Sequence, residues 1–292
     1  MRSHVHAFGT DALAAAVARR LGLPRPATRV DDVDPDSGVV VVSAEAHLDR
    51  LAPTLRGFMG RGMHVVAACE QMAWPWFNHP HLADVLATEA VRAGVALVGV
   101  GGAGAEALAM LAAQSPATGA SRDGAGLAGI RLAVGLGPDH CRLAVWQRLG
   151  IGVALAKWKT LYRAKTVDFV GVAELTTLLS QALGRHPMHN EVAVDVAPVT
   201  DAATNVMAVR AVGRVAVEGL TIECAVEASP IGDGSQSVIL TRGAGDAAPL
   251  PLPLPAADSI EAAAARLVRA AGQAASLTPG LRTMLDLPAA GT

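Results

Sequence analysis

Val5-His6-Ala7-Phe8-Gly9-Thr10-Asp11-Ala12 is a strand signal that runs through a turn into a helix signal. Val5 to Phe8 is a short extended segment, Thr10 is placed to cap a helix, and Leu13, Val17 and Leu21 follow at helical spacing, with Arg19-Arg20 near the end. Outward from this stretch the alternation repeats. Val39 to Val42 is a continuous β-branched run, as in a strand buried on both faces. Leu48, Leu51 and Leu55 mark a second helix, His64 to Ala68 a third strand, Leu82 to Ala93 a helix and Val95 to Val98 a fourth strand. Strands joined by helical crossovers predict a parallel, doubly wound α/β sheet.

From about Ala105 the pattern changes. Ile130–Val134 and Leu143–Trp146 read as strands, and Val172–Leu183 as a helix ended by Gly184. Asn205–Val217, Leu220–Ala228 and Gln236–Thr241 read as long β segments, with Asp233-Gly234 as a hairpin-like turn between the last two. Pro249–Pro255 alternates Pro and Leu, an extended connector, and Ser259 opens an amphipathic helix with Ile260, Ala264, Leu267 and Ala271 on one face. The expected organisation is a truncated Rossmann-like parallel-sheet domain over 1–104 and an α+β domain with a mainly antiparallel sheet over 105–248. A connector and helix over 249–292 then pack back on the first domain.

The 292 residues are 51% apolar and 17% charged, and Lys+Arg 24 against Asp+Glu 26 leave a net charge of −2. This balance lacks the basic field a phosphate backbone requires, so no nucleic-acid partner is expected. The apolar fraction excludes a disordered chain. Apolar runs are interrupted well before the ~20 residues of a membrane span, and Met1-Arg2-Ser3-His4 leads straight into a strand, so a cytoplasmic protein is expected. Cys69, Cys141 and Cys224 form neither a disulfide framework nor paired zinc spacing, and no metal site is expected.

A dinucleotide fold needs three glycines in its first turn, for the turn itself, for approach to pyrophosphate and for helix packing. The register Ala7-Phe8-Gly9-Thr10-Asp11-Ala12 keeps only the middle one, and Asp11 puts a carboxylate where a diphosphate would seek the same amides. An ordinary capped helix after a strand is the reading these residues alone favour. The second strand is short or missing: Ala27-Thr28-Arg29-Val30 is its one possible stub, with Asp31 as ribose ligand. Past the third strand, Cys69-Glu70-Gln71-Met72-Ala73-Trp74-Pro75-Trp76-Phe77 sets a carboxylate and aromatic rings at a strand's carboxyl end, where open α/β sheets bind ligands. Glu70 would hold or deprotonate an amine or shuttle a proton, with Trp74 and Trp76 as an apolar, cation-binding wall. A capped turn with core tryptophans is the alternative. His140-Cys141 sit on opposite strand faces and make no dyad. His79-Pro80-His81 and His186–His189 read as surface histidines, Lys157 and Lys159 around Trp158 as a wet basic face, and Tyr162 as packing.

His64–Glu70 with Trp74-Pro75-Trp76 and His79-Pro80, then Gln147-Arg148-Leu149-Gly150-Ile151-Gly152, Phe169-Val170-Gly171 and Thr278–Pro288 occur in an order that resembles the dihydrodipicolinate reductase-like superfamily. Within it, these stretches resemble the branch of 2,4-diaminopentanoate dehydrogenase and the native amine dehydrogenases. The resemblance implies a Rossmann-like domain, a second domain that forms the substrate cavity and commonly a dimer interface, and an acidic group at Glu70 for the substrate's amine. Gln147 and Arg148 would orient an oxyanion or carboxylate, and Trp146 and His140 join Trp74 and Trp76 as substrate-binding candidates. Departures fall on the cofactor side: the degraded turn, Gly101-Gly102-Ala103-Gly104-Ala105 in place of the family's Asn-Pro segment, and Arg269 in place of an Asn.

The leading expectation is therefore a homodimeric enzyme acting on a small amine, imine or amino-acid-like molecule by a redox-neutral step such as cyclisation, condensation or tautomerisation. No cofactor is expected in the standard mode. The alternative is an NAD(P)H-dependent amine dehydrogenase or imine reductase that holds its cofactor through Gly9, Thr10, Asp31 and Gly101. A non-catalytic binding subunit is the third reading.

Overall fold

The computed structural model describes residues 4–34, 36–101, 127–137, 148–232, 236–242, 250–253 and 259–288. The chain divides into two compact units, one of Met1–Ala105 with Ile260–Thr292, the other of Glu106–Ser259. No helix among the described residues is long and apolar enough to cross a membrane.

The first unit begins with β1 (Val5–Phe8), α1 (Ala12–Arg20), β2 (Val39–Val42), α2 (Leu48–Met59), β3 (His64–Ala67), α3 (Pro80–Ala93) and β4 (Ala96–Gly99). All four valines of β2 are at most 1% exposed, because helices cover both faces of the sheet. On one face Phe8, Val40, Val42, Val65 and Leu97 pack against Leu48, Leu51, Leu55 and Phe58 of α2 and Leu86 of α3. On the other, Ala7, Val39, Val41, Val66 and Val98 meet Leu13, Ala16 and Val17 of α1. The cap of α1 is Asp11, not Thr10: the Ala14 amide donates to its carboxylate at 2.8 Å, and Thr10 lies exposed in the turn. The expected second strand survives as a single residue. Ala27 forms a parallel bridge with Phe8, its amide donating to Ala7 O (2.8 Å) and its carbonyl accepting from Gly9 N (2.9 Å).

The second unit contains β5 (Leu127–Leu136), α4 (Leu155–Arg163), α5 (Val172–Ala182), β6 (Ala193–Thr200), β7 (Val206–Val217), β8 (Leu220–Ala228), β9 (Gln236–Arg242) and β10 (Leu250–Pro253). They form one sheet in the order β10-β9-β5-β8-β7-β6, antiparallel except for β5 beside β8. This corrects the expected hairpin between β8 and β9, which are separated by β5. The tight two-residue hairpin lies instead between β7 and β8 at Glu218-Gly219, both with positive φ (49° and 79°), the primed turn that matches strand twist. Leu250–Pro253 is no free connector but an edge strand paired with β9, a position that tolerates proline because one side needs no ladder bond. Asp233-Gly234 and Leu143–Trp146 lie outside the described residues.

Helix α5 is buried from Val172 to Ser180, and its hydroxyls are satisfied internally: Thr176, Thr177 and Ser180 each donate to the carbonyl four residues back. It approaches β7 closely because position 213 is glycine; a Cβ there would stand 2.1 Å from Thr176 Oγ1.

The chain then returns to the first unit as α6 (Ile260–Ala274) and β11 (Gly280–Thr283). β11 pairs in parallel with β4 and completes the order β1-β2-β3-β4-β11, while Ala264, Leu267, Ala270 and Ala271 of α6 share the face covered by α1.

Candidate functional site

Ligands in open α/β sheets bind where strand carboxyl ends meet a reversal of crossover direction. Here the chain leaves β1 toward Ala27 on one side and returns to β2 on the other, so the reversal lies between β1 and β2. Gly9 follows β1 with φ +140°, and a Cβ on it would lie 1.8 Å from Ser43 O and 3.0 Å from Ala14 Cβ. Gly9 is therefore the turn glycine and Ala14 the close-packing position of a Gly-x-x-x-x-Ala spacing. The register shifts by two residues from the sequence expectation, and Asp11 occupies the place of the middle glycine.

The Asp11 carboxylate, 8% exposed, accepts from Ala14 N and from Ser43 Oγ, which lies 3.0 and 2.9 Å from its two oxygens. Ser43 follows β2 and is fully buried, so a hydroxyl–carboxylate contact ties β1's turn to the end of β2. The residue of the stub level with Gly9 is Thr28, whereas Asp31, the expected ribose ligand, lies exposed in the short 3-10 helix Val30–Asp32. Beside the stub, where a complete sheet would continue, is a cleft of about 450 Å³ lined in part by His6, Arg25, Thr28 and Asp32. At the amino end of α1 the Ala14 amide thus holds the Asp11 carboxylate, and the strand segment on the far side of β1 is one residue long.

At the end of β3 the chain makes a 3-10 turn, Glu70–Met72. Glu70 is 8% exposed. Its neighbours fix the turn. Cys69 Sγ donates to Ala46 O (3.2 Å), and Gln71 Oε1 accepts from Leu48 N (2.8 Å), capping α2, and lies 2.9 Å from His79 Nε2. His79 thus helps to hold the turn. On the other flank the turn presses on β4: a Cβ at Gly99 would lie 2.2 Å from Met72 O, and one at Gly101 (φ +74°) would lie 2.8 Å from Ala73 Cβ. Gly101, expected at a cofactor, therefore serves the seating of the Glu70 turn. Trp74 and Trp76 are half-buried with ring centroids 5.3 Å apart, and Trp76 Nε1 donates to Asp84 at 3.0 Å. Sequence reasoning missed Ser43, Gln71 and Gly99, whose roles arise from contacts between separate strand ends.

In the second unit Arg148 donates Nε and Nη2 to the two oxygens of Asp168, both at 2.8 Å, so the fork expected to orient a substrate is engaged within the chain. Gln147, Trp146, His140 and Cys141, and Gly102–Gly104, lie outside the described residues. Trp158 is buried and donates Nε1 to Leu149 O, while Lys157 and Lys159 are exposed and Tyr162 stacks on Trp158 at 5.0 Å. Arg269 is exposed on α6. Burial pushes the Cys224 thiol up to about 12, against a hydrogen bond with Thr176 of α5, which removes it as a nucleophile. Among the described residues no cluster of His, Cys, Asp or Glu is arranged to hold a metal ion.

No family model matches the sequence, and no curated protein matches it. Solved structures do. An amine dehydrogenase from Mycobacterium smegmatis superposes with a TM-score of 0.79 at 16% identity, over 99% of this chain and 96% of that one. The chain has the fold of the Rossmann-like oxidoreductases. A probable dehydrogenase from Thermotoga maritima (TM-score 0.58, 10% identity, 97% and 91% covered) is similar across both units. So is a biliverdin reductase from Synechocystis sp. PCC 6803, solved with biliverdin and NADP+ (0.51, 13%, 92% and 81%).

Proposed function

We propose that the chain is an enzyme acting at an amine- or imine-bearing carbon, with Glu70 carrying the proton at the substrate's nitrogen. The observation that carries this reading is the Glu70 turn itself. A carboxylate stands at the carboxyl end of β3 on a turn that Cys69, Gln71, Gly99 and Gly101 hold in place, and the Trp74–Trp76 pair follows it in the chain. Such a carboxylate attracts an ammonium or iminium by charge, takes one N–H proton as a substrate amine becomes nucleophilic, and returns it to an imine nitrogen in the reverse direction. The indoles supply an apolar wall and a face for the cation.

The likeness to an amine dehydrogenase over nearly the whole chain supports an oxidoreductase, an amine dehydrogenase or imine reductase using a nicotinamide nucleotide, over a redox-neutral enzyme. The redox-neutral reading is kept for one observation, the carboxylate in the turn of β1. A panel of primary amines, and of carbonyl compounds with ammonia, tests both. Turnover is followed by nicotinamide absorbance at millimolar nucleotide, and by mass spectrometry of the products without nucleotide. Glu70→Gln is expected to lower whichever activity is found by about 10²–10⁴-fold, the usual worth of a positioned acid–base group; an unchanged rate would remove Glu70 from the chemistry.

The second sheet supports a homodimer. The face opposite α5 carries Arg131, Arg210 and Arg214 with Glu223 and Glu227, and Val212 and Ala225 on the same face are buried. Glu223 bridges Arg131 and Arg214 at 3.0 and 2.8 Å. A face with both signs of charge complements a second copy of itself across a two-fold axis.

A further inference from the structure

We infer that Asp11 is the residue that limits nucleotide affinity in this chain, its carboxylate being an internal anion seated where a Rossmann turn seats a dinucleotide's pyrophosphate. Three observations converge. The spacing Gly9…Asp11…Ala14 reproduces the three positions of the nucleotide turn, since Gly9 makes the turn against Ser43 O and Ala14 packs under it. The middle position exists in such turns so that the backbone can approach an anion; here its own side chain supplies the anion, which accepts from the Ala14 amide at 2.8 Å. Ser43, at the end of the neighbouring strand, donates to the same carboxylate and holds it across the reversal between β1 and β2.

A diphosphate entering this seat meets a fixed negative charge and must displace it from the amide. The seat is otherwise intact: α1 still points its amino end there, no acidic residue lies in its first turn, and Ala14 meets the packing requirement. Removing one side chain therefore restores the Gly-x-Gly-x-x-Ala pattern without rebuilding the sheet. The inference rests on the fold and on Asp11, not on what Glu70 does, so it stands or falls separately from the proposed function.

The test is calorimetric titration of the full-length protein with ADP-ribose, which carries the diphosphate but no nicotinamide, and with NADH. Wild type is expected to bind neither at micromolar concentration. Asp11→Gly is expected to bind both at least about tenfold more tightly, the scale of one charge-assisted hydrogen bond regained. Asp11→Asn, which keeps a capping side chain but removes the charge, is expected to fall between them, and it carries the test if the glycine variant does not fold. Micromolar binding by wild type, or no gain in a folded Asp11 variant, would overturn the inference.

Discussion

Asp11 serves both stability and exclusion. It caps α1 and accepts from Ser43 with little exposure, so Asp11→Ala removes a helix cap and leaves Ser43 Oγ without this acceptor. The expected cost is about 0.5–2 kcal/mol, read from urea unfolding midpoints. A second residue ties stability to pH. His64 Nδ1 accepts from the Ala96 amide at 3.0 Å, which requires the neutral ring, and burial lowers its pKa from the ordinary 6.5. The unfolded chain then binds a proton that the folded chain resists. The contribution of His64 is complete above pH 6.5 and is lost as pH falls from there toward its depressed folded value. Wild type should lose stability across that window, and His64→Asn should show a flatter pH dependence of its melting temperature.

At the scale of elements, glycines decide where segments touch. Gly99→Ala would drive a methyl group to 2.2 Å from Met72 O, so the turn carrying Glu70 must shift. Activity is expected to fall more steeply than stability, whereas a purely structural effect would lower both in step. Gly213→Ala is the corresponding probe of the second unit, because its Cβ would collide with Thr176 Oγ1 at 2.1 Å. Thr176→Ala removes that atom, so the double variant should recover part of the stability lost by Gly213→Ala alone, a favourable coupling measurable in a double-mutant cycle. Additive losses would place the strain elsewhere.

At the scale of the whole molecule, the first sheet depends on both ends of the chain. Without α6 and β11 the sheet loses its last strand, and Val39, Val41, Val66 and Val98 lose part of the apolar layer that covers them. A chain ended after Ser259 is expected to lose the cooperative thermal transition of the first unit by circular dichroism, while the second unit, which keeps all its residues, still unfolds cooperatively. If the charged face of the second sheet forms the homodimer, Arg214→Glu, a charge reversal at an exposed position on it, should convert a dimer into a monomer in light scattering while leaving the circular dichroism spectrum unchanged.

The sequence alone determined what local periodicity can carry. The β-branched run of Val39–Val42, the apolar spacings of α1, α2 and α6, and the carboxylate and indoles after β3 were legible because burial imposes its own period on a strand or helix. The sequence also showed that a second strand was nearly absent, since too few residues separate Leu23 from Val39 to form a complete crossover. What it could not show was partnership. β5 between β8 and β9, β11 beside β4, the Arg148–Asp168 pair, and Ser43 and Asp11 joined across 32 positions are contacts between residues far apart in the chain. The glycine register of the first turn was likewise settled only by packing. Which glycine makes the turn depends on what stands opposite it, and here Ser43's carbonyl, from the neighbouring strand, leaves no room for a Cβ at position 9.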